Sequence, residues 1–376
     1  MRGKAVIAGV GHTRYGKHPG RDRVDLIVEA TRNAITDAGI SKDMLDGIMV
    51  KMANSAPSFL YGQKVSEALG VRPRMGCSLD QGGAANISLI SYAAMAIEAG
   101  MMDMALVCYG DTPRTGSHSV YHRPRGEEAA YGWYSSAAGY AMIHRAYKNR
   151  YDTPDEHFGV IAVQCRENAL TNPNAHLRAA LSMDDYLQGP WVVDPLRRDD
   201  CCLLSDGGAA VILCSAKRAK ELGITAAVPI LGFGQGQESW EVHLRPDLLG
   251  DMAQASARTA FKMAGVGPAD VDMAQIYDCF TVTVLQTLEE YGLAPRGQAG
   301  AKALAEGIGP DGWLPLNTSG GLLSESGTPG LQLVIEGVRQ MRGDARLQVK
   351  NPEVGIVSNQ GGSMHTHATL ILGQPT

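Results

Sequence analysis

The sequence predicts an α/β protein built from two repeated halves, with a long insertion in the first half. Three observations support this prediction. Apolar strand-like runs alternate with amphipathic helix-like segments, the alternation lapses once between about residues 111 and 200, and the pattern of the first half returns in the second. At 376 residues the chain is long enough for two domains or one large two-part core. We place the halves at residues 1–220 and 221–376.

The first half opens with a buried strand, because Ala5–Gly11 (AVIAGVG) is an apolar run that ends in glycine. Apolar residues then recur at helical spacing across Arg21–Gly39, and Gly39 is a natural helix end. The alternation continues with strands predicted at Ile48–Met52, Cys77–Asp80 and Met104–Tyr109 and a helix predicted at Gln63–Leu69.

The segment Asp80–Gly100 predicts a central helix over residues 84–100 that is apolar on all sides. Such a helix belongs inside a large protein, and its polar residues argue against a membrane span. Gly82 and Gly83 stand at its N-terminus, where backbone N–H groups lack helical partners. The glycines therefore allow a negatively charged ligand oxygen to approach, although a simple tight turn would also explain them.

The insertion is rich in proline, with helices predicted at Ala129–Tyr147 and Pro154–Ala169. Ser205–Cys214 then returns to a buried strand. The second half repeats the first in four places, in the same order: residues 34–46 match 260–272, residues 82–98 match 320–336, residues 106–108 match 356–358, and residues 209–213 match 368–372. Four ordered matches predict two copies of one unit, with their central helices packed together.

Composition excludes several classes of protein. The net charge of −5 and the absence of a Lys/Arg block argue against a general nucleic-acid binder. Seven cysteines show no metal-ligand spacing, which favours a reducing compartment, no disulfide framework and no metal site. The N-terminus MRGKAVIAGVG has no signal-peptide pattern. We therefore expect a cytoplasmic protein.

Long motifs resemble the thiolase superfamily, and within it the sterol-carrier-protein-X and lipid-transfer-protein branch. The resemblance rests on ENALTNPNAHLRAALSMDDYL, DPLRRDDCCLLSDGGAAVIL, AQIYDCFTVTVLQTLEEYGL, LPLNTSGGLLSESGTPG and VSNQGGSMHTHATLILG. It covers nearly the whole chain. It implies a five-layer αβαβα fold, a homodimer, and acyl thioesters of coenzyme A as substrates, with no further cofactor.

The sequence departs from the family at each catalytic position of a thiolase. The nucleophilic cysteine would fall at Gly83, the histidine at about Gly327 and the second cysteine at Ser358. Covalent acyl transfer needs a thiolate activated by a base. The sequence therefore argues against a working thiolase.

The chemistry that remains is cleavage of a carbon–carbon bond. Retro-aldol cleavage of a bulky or branched 3-hydroxyacyl-CoA needs a pocket for a thioester enolate and a proton-transfer group, but no nucleophile. The family resemblance implies that Gly83, Asn317, Ser358 and Gly361 form the oxyanion and substrate pocket.

Tyr277 and Asp278 stand where ordinary thiolases have Asn-Glu, and the lipid-transfer-protein-type aldolases use a tyrosine there as an acid/base group. We predict Tyr277, Asp278 and His365 as catalytic residues. The alternatives are a tyrosine packed in the core, an N-cap of a helix over residues 279–291, and a histidine hydrogen-bonded in a turn. A second tyrosine of those aldolases would match about Gly327 and is absent.

Arg123 and Arg125 are predicted to bind coenzyme A, because the family binds its cofactor moiety at the insertion; a solvated charged face is the alternative. The resemblance also implies an acyl-CoA-binding partner with an OB fold and a zinc ribbon. Two other functions stay open. One is acyl transfer through an unrecognised nucleophile such as Ser358, and the other is a non-catalytic acyl-CoA or lipid-binding subunit.

Overall fold

The computed structural model describes residues 2–122, 126–328 and 330–375. The strands are β1 Ala5–His12, β2 Gly47–Lys51, β3 Met75–Leu79, β4 Met104–Asp111, β5 Trp191–Val193, β6 Leu196–Arg197, β7 Gly207–Ser215, β8 Val228–Gln237, β9 Met273–Gln275, β10 Val354–Gly361 and β11 Thr366–Gly373. The helices are α1 Arg23–Ala38, α2 Tyr61–Leu69, α3 Ala85–Glu98, α4 Ser136–Tyr151, α5 Glu156–Ala169, α6 Met183–Leu187, α7 Ala216–Glu221, α8 Met252–Ala264, α9 Thr281–Glu290, α10 Ala299–Glu306, α11 Gly321–Ser324 and α12 Gln332–Arg342.

Nine strands form one hydrogen-bonded series in the order β3-β2-β4-β7-β1-β8-β11-β10-β9. In the first half β2 runs parallel to β4, and β4, β7 and β1 follow antiparallel to one another. In the second half β9, β10, β11 and β8 have the same order and the same directions. The prediction of two repeated α/β halves is therefore confirmed.

The helices form layers around these strands. Helices α3 and α12 contact strands of both halves, so they lie between the two strand sets. Helix α1 packs on β1, β4 and β7, and α8 packs on β8 and β11. Three helical layers thus alternate with two strand layers, as the five-layer prediction requires. The two strand sets meet where β1 pairs with β8 through Val6 and Ile7.

Two details differ from the prediction. Helix α4 begins at Ser136 rather than at residue 129, because the Ser135 side chain caps it by accepting from the N–H of Ala138. The second central helix is broken into α11 and α12. The intervening segment contains Gly330, whose φ of +78° does not continue a helix. The predicted boundary after residue 220 lies near the end of α7, and the division at that point stays a prediction.

Candidate active site

The N-termini of α3 and α11 each carry one glycine pair, and in neither helix does the side chain of the N-cap residue, Ala84 or Gly320, make a capping hydrogen bond. Gly83 precedes the first residue of α3, so its N–H is not used by a bond of the helix. A Cβ added to Gly83 would lie 2.5 Å from the hydroxyl oxygen of Tyr277. The Tyr277 phenol therefore fills the space that any side chain at residue 83 would need.

Asp278 makes the corresponding contact at the other helix. A Cβ added to Gly321 would lie 2.7 Å from the Cγ atom of Asp278. The Asp278 carboxylate accepts hydrogen bonds from the N–H groups of Leu322 at 2.7 Å and Leu323 at 3.2 Å. Two neighbouring residues are thus directed to two different helix N-termini. Asp278 caps α11, not the helix that follows it in sequence, because α9 begins at Thr281.

The environment sets the protonation of both groups. Burial raises the pKa of Tyr277 well above its usual value, and nearby Cys279 and Cys202 add to the shift, so Tyr277 is a neutral phenol at pH 7. Burial also raises the pKa of Asp278 to about 6, although the hydrogen bonds from the N–H groups of Leu322 and Leu323 lower it.

Asn317 and Ser358 hold the backbone that carries Tyr277. The Asn317 side chain accepts from the N–H of Ile276 at 2.7 Å and donates to its carbonyl at 2.9 Å. The Ser358 hydroxyl accepts from the N–H of Tyr277 at 3.1 Å. Both side chains are fully buried. The structure thus places these two predicted pocket residues behind Tyr277.

The end of β10 touches the start of α3 through glycines. A Cβ on Gly361 would lie 2.8 Å from the Cα atom of Gly82, so only glycines allow this approach. The structure therefore brings Gly82 and Gly361 together, and the pocket roles of Gly83 and Gly361 stay predictions. Asn359 and Gln360 were not predicted from the sequence; each buries a side-chain oxygen without a hydrogen-bond partner among the described residues. The polar run SNQGGS at the end of an apolar strand was the available signal.

The two histidines of this region lie in different environments. His365 is 6% exposed, stacks against Trp240 and has Nε2 2.7 Å from the Trp240 carbonyl oxygen. His367 is buried, its Nε2 lies 2.8 Å from the Tyr291 hydroxyl, and burial lowers its pKa to about 3. The contacts of His365 thus tie the loop after β10 to the segment after β8.

The described thiols near the site are protonated. Burial raises the pKa of Cys279 to about 12 and that of Cys202 well above its usual value. Cys165 lies 3.5 Å from Asp278 and its pKa is likewise raised by burial. A protonated thiol is a poor nucleophile. A Cβ on Gly327 would lie 2.6 Å from the carbonyl carbon of Leu203, so the Leu203 backbone leaves no room for a side chain at residue 327.

A cleft of about 820 Å³ lies between the insertion and the segment after β8. Its wall is mostly apolar and includes Trp133, Met142 and Leu248, with Arg145 and Arg245 among its cations. Arg245 also donates to the carbonyl of Ser363 at 3.0 Å, so the cleft borders the loop that follows Gly361.

The predicted coenzyme A residues Arg123 and Arg125 lie outside the described residues. Within the described residues, Glu128, Glu241 and His243 bring donor atoms within 4.8 Å of one another, which is the one group there with the spacing of metal ligands.

Comparison with known proteins places this geometry in a family. The family model described as Thiolase C-terminal domain-like matches residues 234–374. The chain is 31% identical to the 17-hydroxy-3-oxo-4-pregnene-20-carboxyl-CoA lyase of Mycobacterium tuberculosis, over 100% of this chain and 98% of that protein. The chain belongs to the thiolase superfamily.

Within the superfamily the relatives perform two kinds of chemistry. A steroid side-chain-cleaving aldolase of Thermomonospora curvata is 32% identical over 91% of each chain. An acetyl-CoA acetyltransferase of Methanothermobacter thermautotrophicus is 31% identical over 100% of each chain. The solved structure of an Ltp2-ChsH2(DUF35) aldolase superposes with a TM-score of 0.90 at 30% identity, covering 100% of this chain and 98% of that one. The resemblance seen in the motifs is therefore confirmed.

In residues 2–122, 126–328 and 330–375, no helix combines the length and the apolar character needed to cross a bilayer.

Proposed function

We propose that this chain is a carbon–carbon lyase that cleaves a bulky or branched 3-hydroxyacyl-CoA by retro-aldol reaction. The 3-hydroxyl group loses its proton, the C2–C3 bond breaks, and the electron pair moves into the thioester as an enolate. A proton then adds to C2. The products are a carbonyl compound and a shortened acyl-CoA, and the enzyme ends unchanged.

The observation that carries this proposal is the contact between Tyr277 and Gly83. A phenol stands at the helix N-terminus where the family nucleophile would project, and a side chain at residue 83 has no room. The neighbouring thiols are protonated by burial. This arrangement keeps a pocket for negative charge and offers a proton-transfer group without a nucleophile.

The roles follow from the geometry. The N–H groups near Gly83 and Gly361 hold the thioester oxygen as charge develops on it, and one such donor contributes on the order of 10²–10³ in rate. The Tyr277 oxygen takes the 3-hydroxyl proton while its own O–H proton passes to C2, so Tyr277 is a neutral phenol before and after the reaction. Asn317 and Ser358 fix the backbone of Tyr277, Asp278 fixes α11, and His365 fixes the loop after Gly361. The cleft beside that loop admits the thioester.

The decisive experiment incubates the protein with a panel of 3-hydroxyacyl- and 3-ketoacyl-CoA esters and follows products by mass spectrometry. We expect cleavage of a branched 3-hydroxyacyl-CoA, and we expect Tyr277→Phe to lose it by at least about 10²-fold while keeping the wild-type melting temperature. Undiminished cleavage in Tyr277→Phe removes Tyr277 from the mechanism.

Acyl transfer is the second candidate, because one relative at 31% identity is an acetyl-CoA acetyltransferase. Its predicted nucleophile Ser358 is buried and accepts a hydrogen bond from the Tyr277 N–H. An acyl-enzyme mass shift after mixing with acyl-CoA would favour this candidate over the lyase. Binding without turnover of any ester would instead favour a non-catalytic acyl-CoA-binding subunit.

We further propose two protein partners. A structural neighbour is an Ltp2-ChsH2(DUF35) aldolase, which supports an acyl-CoA-binding partner of the DUF35 type. Full activity of the purified chain alone would count against that partner. A homodimer is supported by β3, an edge strand that pairs only with β2 among the described strands. Ser78→Lys on this exposed strand should lower the mass measured by light scattering.

A further inference from the structure

The cleft between the insertion and the segment after β8 contains charges that the proposed mechanism does not use. At about 820 Å³ it has the size of a small-molecule site, and most of its wall is apolar. Its acidic and basic residues are Glu128, Arg145, Asp194, His243 and Arg245. Four of these form pairs. The Arg145 guanidinium lies 2.7 Å from the Asp194 carboxylate, and His243 Nδ1 lies 3.6 Å from the Glu128 carboxylate.

Arg245 is the cation of this cleft that remains without a paired carboxylate. It is 7% exposed, and among the described residues no carboxylate oxygen comes within 4.0 Å of its guanidinium group. Its Nε and Nη1 atoms donate to the carbonyls of Ser239 at 3.3 Å and Ser363 at 3.0 Å, which fixes the orientation of the group. Its Nη2 atom has no hydrogen-bond partner in the described part of the chain. A buried charge is costly unless it is paired, so an anionic ligand would stabilise this arrangement.

Two further donors without partners lie beside Ser363. Trp133 Nε1 and Ser363 Oγ are buried, and neither has a hydrogen-bond partner among the described residues. A Cβ added to Gly139 would touch Ser363 Oγ and would lie 2.8 Å from Trp133 Cε2, the ring carbon that carries Nε1. Arg245 and Trp133 both line the cleft, and with exposures of 7% and 5% they mark its inner end.

We infer that this cleft binds a carboxylate with an apolar body, and that Arg245 pairs with the carboxylate group. The two oxygens of a carboxylate accept several hydrogen bonds, so they suit Arg245 Nη2 together with the donors of Trp133 and Ser363. The apolar body lies along the wall that includes Met142 and Leu248. A carboxylate carries one negative charge and thus balances one unpaired cation, whereas a terminal phosphate carries up to about two.

The carboxylate comes from one of two sources. It is either the far end of the acyl chain of the thioester, which then carries a second acid group, or a separate carboxylic acid. In the first case the inference rests on the proposed lyase reaction and names the class of its substrate. In the second case it does not depend on that reaction.

Isothermal titration calorimetry with octanoate and octanamide tests the inference without turnover. The two probes share an apolar chain and differ in charge. We expect octanoate to bind the wild-type chain at least about tenfold more tightly, because the amide cannot form the charge-assisted pair with Arg245. Arg245→Met should abolish this preference. Equal affinity of the wild type for the two probes, or an unchanged preference in Arg245→Met, overturns the inference.

The matched control is Arg145→Met, which removes the exposed and paired cation of the same cleft. It should change the preference by less than about threefold, because exposed ion pairs are weak.

A second pair of variants keeps the hydrogen bonds of Arg245. Met142 lines the cleft and is 41% exposed, so Met142→Glu and Met142→Gln should fold alike and differ in charge. Octanoate should bind Met142→Glu at least about threefold more weakly than Met142→Gln, and octanamide should bind both equally. Equal octanoate affinity in the two variants would place the probe outside this cleft and contradict the inference.

Turnover then identifies the source of the carboxylate. Values of kcat/KM are compared for 3-hydroxyacyl-CoA esters whose acyl chains have the same length and end in a carboxylate or in a methyl group. A preference of at least about tenfold for the carboxylate, lost in Arg245→Met, assigns the group to the acyl chain. Equal values, with octanoate binding retained, assign it to a separate acid. Cleavage of neither ester counts against the lyase proposal and leaves the binding result standing.

Discussion

Tyr277 and Gly83 form the most informative pair of residues in the molecule. A cysteine at residue 83 would clash with Tyr277 as it stands, because its Cβ would lie 2.5 Å from the Tyr277 hydroxyl oxygen. A side chain at residue 83 and the Tyr277 phenol therefore compete for one space. Gly321 and Asp278 form the equivalent pair at α11, where a carboxylate fills the corresponding space.

Gly83→Ala tests the residue-scale claim. The added Cβ meets both the Tyr277 hydroxyl and the Gln360 carbonyl, so we expect a loss of about 1–3 kcal/mol in stability and at least a tenfold loss of kcat. Thermal denaturation and steady-state kinetics measure the two effects. The control is Gly267→Ala, because its nearest neighbouring atom would be 3.9 Å from the new Cβ and its φ is −121°. Equal effects of the two substitutions would contradict the claim.

At the scale of elements, the site is assembled by short polar segments that follow strands. Strand β9 ends at Gln275, and the next three residues carry the phenol and carboxylate to two helix N-termini. Asn317, with a φ of +46°, holds this segment through both polar groups of Ile276. At the end of β10, Gly361 contacts Gly82, which lies just before α3.

Asn317→Ala should release this segment. We expect a loss of about 2 kcal/mol or more, because two buried hydrogen bonds to the Ile276 backbone disappear, together with a marked fall in kcat. The matched control is Asn351→Ala, an exposed asparagine with nearly the same φ of +47°. Both variants place alanine in the left-handed region, so the backbone strain is similar in the two. The difference between their melting temperatures therefore measures the contribution of the buried Asn317 side chain. No difference between the variants would refute the role.

At the scale of the whole molecule, the packed interior buries several carboxyl groups. Glu290 is 2% exposed and accepts from the Gln286 side chain at 2.8 Å and the Gln254 N–H at 3.1 Å. Glu325 is 4% exposed and accepts from the Ser319 hydroxyl at 2.6 Å. Burial raises the pKa of each to about 7.

These carboxyl groups predict how stability depends on pH. The folded protein keeps protons that the unfolded chain releases above about pH 4.5, so their contribution is present at low pH and is lost as pH rises through about 7. Glu290→Gln should therefore reduce the fall in stability between pH 5 and 8 by about 1–3 kcal/mol. Melting temperatures across this range provide the measurement, with exposed Glu67→Gln as control. An unchanged pH dependence in Glu290→Gln would show that its pKa is not raised.

The sequence by itself determined the layered fold, because strand and helix periodicity and the repeat of glycine pairs are local patterns that the chain carries twice. The resemblance of its motifs to the thiolase superfamily also predicted that Gly83 and Gly361 belong to one pocket, and that role stays a prediction. The sequence could not show that Tyr277 fills the space beside Gly83 and that Asp278 caps α11. The side chains of these two adjacent residues reach different helices, α3 and α11, and those helices come together only in the folded protein. The hydrogen bonds from Lys51 to Asn54 and from Asn54 to Tyr121 were likewise decided by tertiary structure alone. These residues come from β2, the following loop and the insertion, and a buried charge acquires its partners only when those segments pack.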